Sequence, residues 1–190
     1  SGRRLRRPVR FAHVSDLHVG KSSAYDAAAR ACARRLSQCG HLDAVVVSGD
    51  VTSTGSRAEG ALFERLFYPL RRKLVVVPGN HDRAGENYAA RITRHRVWVR
   101  RHGLLYFICC DSTQPFSGAA LFMSHGLMTQ QDIDDAVVAA RVAPENCFVS
   151  LVLHHHLFEA RPDSTTEGLA DALRLPFVAP LDGARALLTR

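Results

Sequence analysis

The sequence predicts a single α/β layered domain, and three observations carry that prediction. The chain has 190 residues, 46% of them hydrophobic, which is enough apolar material for one sizeable core. Short apolar runs alternate along it with segments of helical pattern. Several of those runs, such as Ala44–Val47 and Leu74–Val77, are continuously apolar, as strands buried on both faces are.

Taken in order, Val9–Val14 reads as a first strand. Ser22 or Ser23 can cap a helix running to about Cys39, with Gly40 as its stop. Ala44–Val47 is the second strand. Ser56 and Glu59 stand at capping-box spacing, which predicts a helix toward Leu70 before the strand Leu74–Val77. Val97–Asp111 holds one or two strands, ending in Leu104–Cys110, and Thr129 caps a helix through about Arg141. Phe148–Leu153 is a further buried strand. Arg161–Pro180 reads as irregular because Pro162, Pro176 and Pro180 limit regular structure, and Asp182 is read as the cap of a last helix.

The net charge of +7 invites a nucleic-acid reading, which the distribution of charge argues against. Arg3, Arg4, Arg6, Arg7 and Arg10 supply +5, and from Phe11 onward 20 basic side chains face 18 acidic ones. Residues 1–8 are thus a basic tail. It suits the phosphates of anionic lipid headgroups, and the simpler reading is a solvated end, since no aromatic residues interleave with the arginines. No apolar stretch is long enough to cross a bilayer, and no signal-peptide core is present. The chain starts Ser-Gly rather than Met, so its beginning is read as a cut end. The five cysteines contain no C-x-x-C pair; they read as reduced and mostly buried, which points to a cytoplasmic protein, with peripheral membrane attachment left to the tail.

Polar residues fall where chemistry needs them. The first strand runs into Asp16-Leu17-His18, the second into Gly49-Asp50, the third into Gly79-Asn80-His81-Asp82, and Phe148–Leu153 into His154-His155-His156. Sites in open α/β sheets form at the carboxyl ends of strands, so these four clusters are expected to converge. Carboxylate, imidazole and amide oxygen together suit Mn, Zn or Fe better than Mg or Ca. Asp16 and His18, two apart, can face one ion, and Asp50 has two oxygens with which to bridge a pair. Two ions about 3.5–4 Å apart can clamp a phosphoryl group and activate a water. Each block alone reads equally well as an ordinary turn; it is their joint occurrence, in order and each after an apolar run, that points to metal. Of the other histidines, His13 reads as an inter-strand residue and His41, His95 and His102 as surface positions, while Trp98 and Phe63–Leu66 read as core.

Those blocks resemble the successive signatures of the calcineurin-like metallophosphoesterase family: Asp16-x-His18, Gly49-Asp50, Gly79-Asn80-His81-Asp82 and His154-His155. Ser15, Pro78 and Cys110-Asp111-Ser112 are similar to the family's surroundings. The resemblance implies a four-layer α/β/β/α sandwich and a dinuclear centre of Mn, Fe or Zn. It implies that Asp16 and His18 bind the first ion, that Asp50 bridges both, and that Asn80 and His154 bind the second. His81 would protonate or steady the leaving oxygen and Asp82 would orient His81, while His155 and His156 would be supporting or substrate-facing. The family closes its site with a late Gly-His-x-His block, which this sequence lacks. Residues 9–190 are therefore expected to be one domain that stops before that block, and to bind at least one ion poorly. His125 precedes the histidine run and lacks the pairing, so it is no substitute.

The activity implied is metal-dependent hydrolysis of a phosphodiester, pyrophosphate or phosphomonoester, on a phosphorylated small-molecule or nucleotide-type substrate. The blocks look most similar to the bacterial phosphodiesterase and pyrophosphatase branch. The alternative is a non-catalytic interaction module that keeps the fold.

Overall fold

The structure, a computed structural model, describes residues 8–114, 126–157, 181–183 and 186–187. The basic residues of the tail up to Arg7, residues 115–125 with His125, and the stretch 161–180 lie outside the described residues.

Three strands form a parallel sheet in the order β1 (Phe11–Val14), β2 (Ala44–Ser48), β3 (Leu74–Val77). Central β2 is buried throughout, which accounts for its unbroken apolar sequence. Edge strand β1 alternates exposed and half-buried residues, and its pairing starts at Phe11 rather than Val9. A second sheet has the order β4 (Val97–His102), β5 (Leu105–Cys110), β7 (Phe148–Val152), with β4 antiparallel and β7 parallel to β5. The Val97–Asp111 region is thus a hairpin, turned at Gly103, whose φ of +60 a glycine adopts at little cost. A short parallel pair, β6 (Gly126–Leu127) and β8 (Leu181–Asp182), lies apart from both.

Helix α1 (Ser23–Gln38) starts at Ser22, whose hydroxyl accepts from the Tyr25 N–H, and ends at Cys39, one residue before the predicted glycine stop. Helix α2 (Arg57–Phe67) has the predicted capping box, Ser56 with Glu59, but stops short of Leu70. Tyr68–Leu70 continues as a single 3-10 turn because Pro69 has no N–H to extend the helix. The one-turn α3 (Ala89–Ile92) has no periodic signal in the sequence. Helix α4 (Gln130–Arg141) is capped by Thr129 paired with Asp132. The backbone of Asp182, expected to cap a last helix, pairs with Leu127 in β8, and a helical bond from Leu187 N–H reaches Gly183, the next residue.

Three apolar clusters separate four layers. One fills the space between α1, α2 and the first sheet, around Val45, Val47, Phe63 and Phe67. The second lies between the sheets: Ala44, Val46, Val75 and Val77 meet Leu105, Phe107, Cys109 and Val152. The third packs Tyr106, Ile108 and Cys110 against Ile133 and Ala136 of α4. The two-residue period of β5 sends successive side chains to opposite faces, so the chain forms the α/β/β/α sandwich. The cysteines divide in the same way. Cys109 and Cys110 are buried on opposite faces, where burial pushes both thiols up to about 12. Cys39 is exposed, however, and Cys32 and Cys147 are half-buried, so most of the five are not buried. Among the described residues no helix is long and apolar enough to cross a membrane.

Phe107 is fully buried between the sheets. Phe107→Ala is expected to lower unfolding stability by about 3–5 kcal/mol in chemical denaturation. Val138→Thr, on the exposed side of α4, should change it by less than about 0.5 kcal/mol.

Candidate metal centre

The parallel register of β1, β2 and β3 sets their carboxyl ends side by side, and β7 of the second sheet delivers its own end to the same place. The loops stay paired beyond the strands. Asp16 N–H donates to the Gly49 carbonyl at 3.2 Å and His18 N–H to the Asp50 carbonyl at 2.9 Å. This tracking has a conformational cost. Asp16, His18 and Asp50 stand at φ +57, +44 and +50, where a non-glycine residue costs about 1–3 kcal/mol. Three of the four non-glycine residues at positive φ among the described residues are thus predicted ligands, the fourth being Asn87.

Asp50, almost fully buried, is the centre of the cluster. Its Oδ2 lies 3.7 Å from His18 Nε2 and 4.0 Å from His81 Nε2, and its Oδ1 lies 3.6 Å from His154 Nε2. Two donor groups result, each drawn together within 4.8 Å: His18, Asp50 and His81 form one, and Asp16, Asp50 and His154 the other. Asp50 belongs to both. Asn80 joins the second through its Oδ1, 3.2 Å from His154 Nε2. His18 Nε2 also lies 3.9 Å from Asp16 Oδ1. Of the three successive histidines, His154 faces this cluster, His155 is buried with Nδ1 2.8 Å from the Ser112 hydroxyl, and His156 is exposed.

The donor set fits a divalent cation. His154 Nδ1 lies 2.9 Å from the Ser48 carbonyl and His81 Nδ1 lies 2.7 Å from the Ser53 carbonyl. An imidazole that donates from Nδ1 leaves Nε2 as a lone pair, and both Nε2 atoms face Asp50. Burial lowers the pKa of His18, an effect the nearby Asp50 carboxylate partly counters, which favours the neutral imidazole that a metal requires. Two glycines make room. A Cβ on Gly79 would sit 2.2 Å from Asp50 Oδ1, and one on Gly49 would sit 2.4 Å from His154 Nδ1.

The structure corrects the expected role of Asp82. Its carboxylate is fully buried and does not reach His81, whose Nδ1 is taken by Ser53. It accepts instead from Val51 N–H at 3.2 Å, Thr52 N–H at 2.8 Å, the Thr52 hydroxyl at 2.6 Å and Gly79 N–H at 2.9 Å. Asp82 therefore staples the loop after β2 to the loop after β3. Burial pushes its pKa up while the four donors pull it back.

Sequence reasoning missed an adjoining group. Arg83 reaches Asp111 and Thr113 at the end of β5, and Arg96 spans Asp111, Asp132 and the carbonyls of Thr113 and Leu127. The only signal was Cys110-Asp111-Ser112, a carboxylate directly after a buried strand.

Comparison with known proteins agrees with this geometry. The family described as calcineurin-like phosphoesterase matches residues 9–178. A probable cyclic nucleotide phosphodiesterase of Vesicomyosocius okutanii is 36% identical over 42 residues, covering 22% of this chain and 18% of that protein. The fold is similar to that of a purple acid phosphatase from yellow lupin (Lupinus luteus) seeds, with a TM-score of 0.54 and 14% identity over 80% of this chain. The chain spans 31% of the length of that phosphatase.

Two substitutions separate the staple from the donor set. Asp82→Asn places an N–H against donors and is expected to lower stability by about 1–3 kcal/mol, read by denaturation without added metal. Gly79→Ala drives a methyl into Asp50 and is expected to weaken Mn binding in calorimetry by more than the stability loss explains.

Proposed function

This chain belongs to the calcineurin-like phosphoesterase family, and we propose that it supplies the metal-binding half of a phosphoester hydrolase site in which Asp50 is shared between two divalent ions. The observation that carries the reading is the membership of Asp50 in both donor groups. The family resemblance would assign Asp16 and His18 to one ion and Asn80 and His154 to the other, whereas the distances group His18 with His81 and Asp16 with His154; in either partition Asp50 is common, and the mixed oxygen and nitrogen donors favour Mn, Fe or Zn over Mg or Ca. Ions bound there supply Lewis-acid polarisation of a phosphoryl group and acidify a water.

The protein's own residues do the rest. Asp50 is fixed by His81 N–H at 3.0 Å on Oδ1 and by the space that Gly79 leaves. Ser48 and Ser53 carbonyls hold His154 and His81 in the tautomer that turns Nε2 inward. The His81 side chain is 45% exposed, at the open side of the cluster; as an imidazolium, with Nδ1–H kept on Ser53, it can give its Nε2 proton to a leaving oxygen. Asp82 has no contact with reacting atoms and keeps the two loops in register.

The substrate we propose is a phosphodiester or pyrophosphate of nucleotide type, supported by the similarity to the probable cyclic nucleotide phosphodiesterase. Retention of the donors with their strained backbone favours catalysis over a non-catalytic interaction module, which has no use for either.

The test is hydrolysis of bis(p-nitrophenyl) phosphate by the full-length protein with added Mn. Turnover should vanish with EDTA and in Asp50→Ala, whereas His81→Ala, assayed at saturating Mn, should lose about 10²-fold in kcat. Full metal occupancy with no turnover on any phosphoester would contradict the proposal.

A further inference from the structure

The 3-10 turn His81–Arg83 sends its three side chains in three directions. His81 points to Asp50, and Asp82 plugs into the loops of the first sheet. Arg83 crosses to the second sheet. There its Nε donates to the Thr113 hydroxyl at 2.7 Å and its Nη2 to Asp111 Oδ2. Two donors of a planar guanidinium on two acceptors fix a direction as well as an attachment.

The receiving end is itself braced. Asp111 Oδ1 accepts from Thr113 N–H at 3.0 Å and from the Thr113 hydroxyl at 2.6 Å. Arg96 stands 3.7 Å from the same oxygen, donates to the Thr113 carbonyl at 2.6 Å, and pairs with Asp132 at the start of α4. Asp111 is 2% exposed and the Arg83 side chain 20%. A buried ion pair adds little net stability over apolar packing of the same volume, so its distinctive contribution is a defined geometry.

We infer that Arg83 and Asp111 are positioning residues for His81: the pair ties the His81 turn to the second sheet, which also carries His154, and so fixes the imidazole relative to the shared carboxylate. The inference rests on the hydrolase reading for its kinetic consequence but not for its structural one. His81 has two tethers of its own, Nδ1 to Ser53 and N–H to Asp50, and both belong to the loop after β2. Among the described residues, Arg83 is the side chain of this turn that donates hydrogen bonds to groups at the end of β5 in the other sheet.

The experiment uses Arg83→Met, Arg83→Lys and Asp111→Asn in the full-length protein, alone and in a His81→Ala background. In side-chain ¹H–¹⁵N spectra without metal, Arg83→Met should shift the His81 ring resonances and leave those of exposed His41 in place. In Mn-supported hydrolysis, Arg83→Met should lower kcat about 10–100-fold while KM and Mn affinity stay within about twofold, with Arg83→Lys recovering part of the loss. In the His81→Ala background it should cost less than about twofold more, because the two residues act as one unit. An unmoved His81 ring, or an equal kcat loss with and without His81, would overturn the inference. If Arg83→Met does not fold, Asp111→Asn and Arg83→Lys are read by the same criteria. If the wild-type protein hydrolyses no phosphoester, the hydrolase reading fails and the ring spectra alone decide this one.

Discussion

A buried carboxylate with four donors holds the upper end of this sandwich together. Asp82 is removed from water at a desolvation cost, and the Val51, Thr52 and Gly79 groups that surround it offset that cost only in one arrangement of two loops. Those loops carry Asp50 on one side and Asn80 with His81 on the other. With the staple in place, the distance of Asp50 to the His81 imidazole follows from backbone positions rather than from the chance rotamer of an exposed side chain.

The sheet below and the neighbouring loops explain how strained residues persist. Asp16, His18 and Asp50 sit in the left-handed region, which Asp and His enter more readily than most side chains but still at a cost. Their conformations are imposed from below by the register of a buried parallel sheet and from the side by loop-to-loop bonds such as Asp16 to Gly49 and His18 to Asp50. Strain concentrated on candidate ligands is the pattern of a site built ahead of what it binds. The four-layer architecture supplies the rest: three strands bring their ends together within one sheet, and the apolar interface around Phe107 and Val77 brings the end of β7 against them.

Much of this was legible in the sequence, for physical reasons. Buried parallel strands write continuous apolar runs, so β2 and β3 could be read within a residue, and a capping box announced α2 and an N-cap threonine α4. The donors were visible because each follows such a run. Helix ends and short elements were less so: α2 stops at Phe67 on account of Pro69, and α3 is one turn with no period to detect. Long-range polar pairing left no mark at all. Asp82 sits beside His81 in sequence, yet its partners Val51 and Thr52 lie about 30 residues away, while the proximity of the two suggested an orienting bond that does not form. Left-handed φ at Asp16, His18 and Asp50 was equally hidden, since nothing about Asp or His requires it.

The proposal that one carboxylate serves two cation positions is tested most directly by anomalous X-ray diffraction from Mn-soaked crystals of the full-length protein. The account predicts two anomalous peaks flanking Asp50, one beside Asp16 and His18 and the other beside Asn80 and His154. Peaks remote from Asp50, or none at all with these side chains ordered, would contradict it.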